Sequence, residues 1–243
     1  MTKNTKVNAA ILIIGNEILS GRTQDTNTST LATWLNSIGV KVGEVRVIPD
    51  IEKTIINTLN LLKTTYDYVF TTGGIGPTHD DITSESIAKA FNVDLEINPQ
   101  ALAILKEYYK DSDLTEARMK MTQIPKGAIL VENPVSKAPG FKIENVFVMA
   151  GIPSIMQGML EGARIHLSGG KPMISESIDA FLPESFIAKE LSSLQDKYKD
   201  VEIGSYPFVK DGKYGTSLVM RSTDSAKLLD CKVQMELMIS KLV

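Results

Sequence analysis

A single cysteine is all the thiol chemistry the 243-residue chain contains. One sulfur, Cys231, makes neither an internal disulfide nor a cysteine-based metal site. Its place in a helix-patterned segment makes it a packing or surface residue. Histidine is nearly as scarce. His79 and His166 lie too far apart in the chain for a histidine metal centre, and His166, in a helical stretch, reads as structural. No basic run occurs and the net charge is −3. Phosphate neutralisation needs clustered Lys and Arg, so the composition argues against a nucleic-acid partner. No stretch approaches the roughly 20 apolar residues of a membrane span. The opening MTKNTKVNAAILIIGNEILSG has a charged start, but its apolar run stops at Gly15-Asn16-Glu17, as expected of a buried first strand rather than a signal peptide. A cytoplasmic protein with no membrane partner is the expectation.

What is present is ordinary for a globular chain: 43% hydrophobic and 23% charged residues. The length suits one large α/β domain, or a medium domain with a small one. VNAAILIIG (7–15) is nearly continuous apolar sequence, as in a strand covered on both faces. NEILSGRTQDTN follows as a polar loop. TSTLATWLNSIG places Leu31, Leu35 and Ile38 on one helical face, with Gly39 as a C-terminal cap. VKVGEVRVI alternates as a second strand. Ile51, Ile55, Leu59 and Leu62 then recur at helical spacing, with Asp50 as N-cap. YVFTT is a third strand, and Thr83 caps the helix TSESIAKAFNV. Strand and helix alternate three times, which predicts a doubly wound α/β fold with a mostly parallel sheet.

Two helices are expected near 99–110 and 114–122, a loop over 132–141, a hairpin in KIENVFVMAG turning at Glu144-Asn145, and a closing helix from Pro153. Trp34, Met156 and Met159 read as packing residues. SGGKP (168–172) breaks the pattern. A first domain over 1–168 and a small α+β subdomain over 172–243 follow, the latter in the order β-α-β-β-α.

The chemistry concentrates in TTGGIGPTHDDIT (71–83), where the third strand ends. Ligands of open parallel sheets sit outside the carboxyl ends of the strands. Gly73, Gly74 and Gly76 let backbone N–H groups approach a phosphate or pyrophosphate without a Cβ in the way. Asp80 and Asp81 would repel that anion unless a divalent cation lay between, and hard cations accept carboxylate and phosphate oxygens together. The other reading is a plain turn whose aspartates cap a helix. The run is neither a Walker loop nor G-x-G-x-x-G, since His79 stands at the third glycine. Glu17, Asp25 and Asn27 follow the first strand and emerge at the same sheet edge, within reach of Asp80 and Asp81; alternatively Asp25 or Thr26 caps the next helix. His79 fits an acid, a base, a phosphate contact or a solvated loop residue. Ser136-Lys137 offers the cation of a Pro/Gly-rich loop, for a phosphate or for solvent.

TTGGIGPTHDDIT resembles the signature of the molybdopterin-binding fold shared by MogA, MoaB and the gephyrin G domain. Its GPTHDD form is closer to the amino-terminal domain of the CinA family, and is similar to the FAD-hydrolysing domain of eukaryotic FAD synthases. GNEILSGRTQDTN, NPVSKAPGF and IGSYP agree in order and spacing. The resemblance implies a tail similar to a KH-type fold, a homo-oligomer, and a small-molecule nucleotide or pterin ligand. It implies hydrolysis of pyrophosphate bonds in ADP-ribose, FAD or a related dinucleotide with Mg, Mn or Co and often potassium. Molybdopterin adenylation and non-catalytic binding are the alternatives.

By the same resemblance, Asp25, Asp80 and Asp81 are the catalytic acids and Asp80 and Asp81 the metal ligands. Ligand contact falls to Glu17, Asn27, Thr72, Gly73, Gly74, Gly76, Pro77, Thr78, His79, Ser136, Lys137 and Gly140. Two departures stand out. The family's carboxyl-terminal amidase domain is not in this sequence, so amidase activity is not implied. Ile155 also stands where the family's P-x-E-M pattern carries an acid.

Overall fold

The computed structural model describes residues 7–110 and 114–242. The charged start of the chain lies outside the described residues. Two compact units form, one of Met1–Asn36 with Val40–Gly170, the other of Lys171–Val243 with Ser37–Gly39.

The first unit opens with β1 (Val7–Ile14), whose residues from Ala9 onward are at most 3% exposed. A strand this apolar needs cover on both faces. Its neighbours are β2 (Val40–Ile48), β3 (Tyr68–Thr72) and β8 (Val146–Met149), all parallel, in the order β2-β1-β3-β8. The sheet continues antiparallel through β7 (Gly140–Ile143) to β6 (Ile129–Val131). β2 alternates buried and exposed because it is an edge. The doubly wound, mostly parallel α/β fold is therefore present.

Side-chain alternation sorts the helices. Ala10, Leu12 and Ile14 share a cluster with Ile55, Leu59 and Leu62 of α3 (Glu52–Thr65) and Ile87 of α4 (Thr83–Ala90). On the opposite parity Phe70 stacks on Phe147 with ring centroids 4.8 Å apart, and Trp34 of α2 (Asn27–Ser37) meets Phe70 edge-on at 6.0 Å. Met156, Met159 and Leu160 of α7 (Pro153–Arg164) are buried too.

Several local expectations change. Asn16–Leu19, expected as loop, forms the single helical turn α1. Asp50 does not cap α3: Ile51 holds that position without a side-chain bond, and Asp50 Oδ2 accepts the Asn16 N–H at 2.8 Å. Thr83 is likewise the first residue of α4, and Ile82 is its cap. Between α4 and β6 runs an excursion that the periodicity only partly predicts. β4 (Leu95–Ile97) and β5 (Gln123–Pro125) pair antiparallel and bracket α5 (Pro99–Tyr109) and α6 (Glu116–Lys120). Asn98 caps α5 by accepting from the N–H of Gln100 and Ala101, and Thr115 caps α6 through the Arg118 N–H.

The second unit runs β9 (Ile174–Ala180), α8 (Glu184–Lys197), β10 (Glu202–Lys210), β11 (Lys213–Ser222) and α9 (Ser225–Ser240). Its antiparallel sheet has the order β10-β11-β9. Ile187, Leu218, Met220, Leu228, Met235 and Cys231 form its core, so the lone thiol is a packing residue, its pKa raised by burial and by nearby Asp230. No helix among the described residues is long and apolar enough to cross a membrane.

Candidate functional site

The chain steps from β1 outward to β2, then crosses back past β1 to β3. The winding direction reverses between β1 and β3, and a crevice opens there at the carboxyl ends of the strands. A cavity of about 730 Å³ fills it. Ile14 and Glu17 line it after β1, Asp50 after β2, the run from Gly73 to Thr78 with Asp80 and Asp81 after β3, and Ala150 to Pro153 after β8.

The loop after β3 is folded hard against its neighbours. Gly73 has φ +103° and Gly74 φ +68°. A Cβ on Gly73 would stand 2.0 Å from the Ile14 carbonyl oxygen, and one on Gly74 2.2 Å from Thr83 Oγ1. Backbone crowding thus demands these glycines before any ligand does. Gly73 donates its N–H to Met149 O at 3.2 Å. Among the described residues no acceptor takes the N–H of Gly74, Ile75 or Gly76. Thr83 Oγ1, fully buried behind Gly74, also has no partner. Consecutive unpaired N–H groups at a helix entrance make a concavity for an anion.

The acids hold the loop as well as face the cavity. Asp81 Oδ2 accepts the Thr78 N–H at 2.8 Å and the Thr78 hydroxyl at 2.5 Å. The Asp80 carboxyl is held below its ordinary range first by the nearby Thr78 side chain, although that hydroxyl's one proton goes to Asp81, then by Asp80's own backbone N–H, with smaller help from the charges of His79 and Lys120. Lys120 Nζ in turn donates to the Thr78 carbonyl. Four carboxylates line this cavity, Glu17, Asp50, Asp80 and Asp81, against one basic side chain, Arg118, whose guanidinium lies 4.1 Å over the Tyr109 ring. Among the described residues no group of three His, Cys, Asp or Glu gathers closely enough to cage a metal ion. That donor set still fits Mg²⁺, which keeps several waters and takes one or two carboxylates together with a substrate's phosphates.

Several residues expected at the site lie elsewhere. Asp25 is a capping residue: its carboxylate accepts the Thr28 N–H at 3.1 Å and the Thr28 hydroxyl, and it does not line the cavity. This corrects its placement beside Asp80 and Asp81. Asn27 and Thr72 are buried just behind the wall, where Asn27 Nδ2 donates to Gly151 O at 2.7 Å and weakly to Thr72 Oγ1 at 3.5 Å. His79 is exposed on the loop and lines no part of the cavity. A Cβ on Gly140 would stand 2.3 Å from Val148 O, so that glycine serves the packing of β7 on β8. Ser136 lines the cavity, whereas Lys137, with φ +63°, lines a neighbouring one.

The structure adds Asp50, Tyr109, Arg118, Asn133 and Ile155 to the walls. Asp50 was accessible to sequence reasoning, since it follows a parallel strand as Glu17 does. Arg118 and Tyr109 carry no such signal, because they arrive on the excursion between β4 and β5.

The family described as "Probable molybdopterin binding domain" matches residues 10–166, and "FAD synthase, middle domain" matches residues 172–243. A protein of Archaeoglobus fulgidus is 37% identical over 197 residues, which span 81% of this chain and 84% of that one. A protein of Sulfurisphaera tokodaii is 38% identical over 210 residues, spanning 82% and 80%. The crystal structure of the protein CinA with unknown function from Thermoplasma acidophilum superposes with a TM-score of 0.63 at 36% identity, covering 68% of this chain and 99% of that one.

Proposed function

Because the chain belongs to the probable molybdopterin binding domain family, with a tail that matches the FAD synthase middle domain, we propose that it is a metal-dependent nucleotide pyrophosphatase acting on ADP-ribose, FAD or a related dinucleotide. One observation carries the reading: the unpaired N–H groups of Gly74, Ile75 and Gly76 and the carboxylates of Asp80 and Asp81 line a single cavity at the sheet's switch point.

The loop amides bind diphosphate oxygens without any reorganisation, because the positive φ of Gly73 and Gly74 has already aimed them. Asp80, ionised well below neutrality, makes a poor general base and a good charge holder. Asp81 offers its second oxygen while Thr78 fixes the first. The two aspartates are the residues that would hold a divalent cation, whose chemistry is to neutralise phosphate charge and polarise the P–O bond. Arg118 is the basic side chain on this cavity's wall, and it takes the charge-offsetting role that Lys137 had been expected to fill. Water adds to one phosphorus as the bridging P–O bond breaks, giving two monophosphates and, at neutral pH, about two released protons. Positioning and electrostatics supply most of the rate in such a reaction.

The test is incubation of the pure protein with ADP-ribose, with FAD, and with ATP plus molybdopterin, each with Mg²⁺, Mn²⁺ or Co²⁺ and with or without K⁺. AMP released from the dinucleotides is the expected outcome. Asp81→Ala is expected to lose that turnover with its circular dichroism unchanged, and undiminished metal-dependent turnover in the variant overturns the assignment. AMP attached to molybdopterin would instead favour the alternative of adenylyl transfer. A homo-oligomer belongs to the same proposal, and light scattering measures it.

A further inference from the structure

The loop after β3 is bonded by an ammonium from outside it. Lys137 is not that group. The turn at Asn133, whose Oδ1 accepts the N–H of Val135 and Ser136, carries Lys137 into the neighbouring cavity. That turn lies so close to α7 that a Cβ on Gly158 would stand 2.8 Å from Val135. The group is Lys120, half-buried in the last turn of α6, which donates from Nζ to the Thr78 carbonyl oxygen.

Thr78 is the hub of the loop's acidic end. Its carbonyl also accepts the Asp81 N–H at 3.3 Å, while its own N–H and hydroxyl both go to Asp81 Oδ2. Asp81 Oδ2 is held close to Gly76, where a Cβ would stand 2.7 Å from it. Asp81 Oδ1 is left without a hydrogen-bond partner among the described residues. Thr78 is exposed, so packing does little to hold it, and the bond from Lys120 joins it to an element outside the loop. Lys120 is anchored at its own end. Thr122, fully buried two residues on, donates its hydroxyl to Met119 O and accepts the Asn98 N–H through its carbonyl.

We infer that Lys120 is a positioning residue for the divalent cation. By holding the Thr78 carbonyl it fixes the Asp81 carboxylate with one oxygen turned to the loop and the other left for the metal. The inference rests on the metal-dependent reading of the cavity. The charge of Lys120 argues in the opposite direction, which makes the sign of the effect diagnostic. Like charges repel, so removing an ammonium beside a cation site tightens metal binding if charge is all that matters. Removing a group that orients a metal ligand loosens it, by about 10–100-fold for an outer-shell partner.

Three variants of the full chain test it, with Mn²⁺ titrated in the presence of inorganic pyrophosphate and free Mn²⁺ read by electron paramagnetic resonance. Lys120→Met is expected to bind Mn²⁺ about tenfold more weakly than the parent. Lys120→Arg, which keeps a charged donor, is expected to stay within about threefold. Thr115→Ala loosens α6 at its cap without touching Thr78, and is expected to lower the urea midpoint slightly and to leave Mn²⁺ affinity within about twofold. In the hydrolysis assay Lys120→Met is expected to need more Mn²⁺ for half its maximal rate and to regain its kcat once Mn²⁺ saturates. Unchanged or tighter Mn²⁺ binding in Lys120→Met overturns the inference, and so does an equal loss in Thr115→Ala, which would make α6 a structural support only. If no dinucleotide is hydrolysed but the binding pattern holds, the hydrolytic reading fails and the role of Lys120 stands. If AMP is released but Lys120→Met binds Mn²⁺ as the parent does, the reading stands and the role of Lys120 fails. A parent chain that takes up no Mn²⁺ overturns both.

Discussion

At the scale of single residues, the acids of the first unit divide by what they bond to. Asp25 spends its carboxylate on Thr28 at the start of α2. Asp25→Ala is therefore expected to cost about 1 kcal/mol of stability, as the loss of a helix cap does, and to leave metal-dependent AMP release intact. Chemical denaturation and the AMP assay check both halves, and abolished turnover at full stability would return Asp25 to the site. Asp80 has the opposite profile. Its exposed carboxyl is held below the ordinary range by Thr78 and its own N–H. A depressed group keeps its charge as pH falls through the usual carboxylate window and loses it only below. Metal-dependent ligand binding through Asp80 is thus expected to persist to lower pH in the parent than in Thr78→Ala, measured by titration with Mg²⁺ and ADP-ribose. Ile155 faces the cavity where the family pattern carries an acid. Ile155→Glu adds a further carboxylate to the wall and is expected to tighten Mn²⁺ binding.

At the scale of elements, what was legible depended on whether local chemistry or distant contact decided the outcome. β1, β3 and the helices α2, α3 and α4 announce themselves because burial on both faces, or on one helical stripe, must be written in hydrophobic periodicity. The caps misread at Asp50 and Thr83 show the limit. A short polar residue before an apolar run has the same appearance whether its oxygen turns to its own helix or, as Asp50 does, to the Asn16 N–H just after the neighbouring strand β1. The three-residue strands β4, β5 and β6 carry no period at all and exist through their partners. The site divided the same way. Gly73, Gly74, Asp80 and Asp81 stand in one contiguous stretch and were readable. Arg118 and the parting of Ser136 from Lys137 follow from α6 and the Asn133 turn, which depend on the excursion and on α7. In the second unit α8 and α9 are joined by a bond with a pH signature. Tyr198 donates to Asp230 Oδ2 at 2.6 Å, and that acceptor, with burial, raises the phenol to about 12. The raised folded value means the contribution is fully present below the ordinary value near 10 and is lost as pH climbs through about 12. Tyr198→Phe is expected to lose about 1–2 kcal/mol at neutral pH, with the gap to the parent closing in strong alkali, as denaturation at stepped pH measures.

At the scale of the whole molecule, the chain divides into two compact units, each with buried hydrophobic packing of its own, and a single unfolding transition is not to be assumed for such a protein. The composition supplies a reporter for each. Trp34, the one tryptophan, packs on Phe70 in the first unit, and Cys231, the one cysteine, is fully buried in the second. Every residue lining the proposed diphosphate cavity falls within the first unit. A ligand that binds only the folded first unit stabilises it by about 2.7 kcal/mol at a hundred times its dissociation constant. Saturating ADP-ribose with Mg²⁺ is therefore expected to raise the midpoint of Trp34 fluorescence in urea and to leave the urea dependence of Cys231 labelling by a thiol reagent where it was. Equal shifts in both reporters would mean that the two units unfold as one cooperative transition, in which a ligand held at the carboxyl edge of one sheet protects the whole chain.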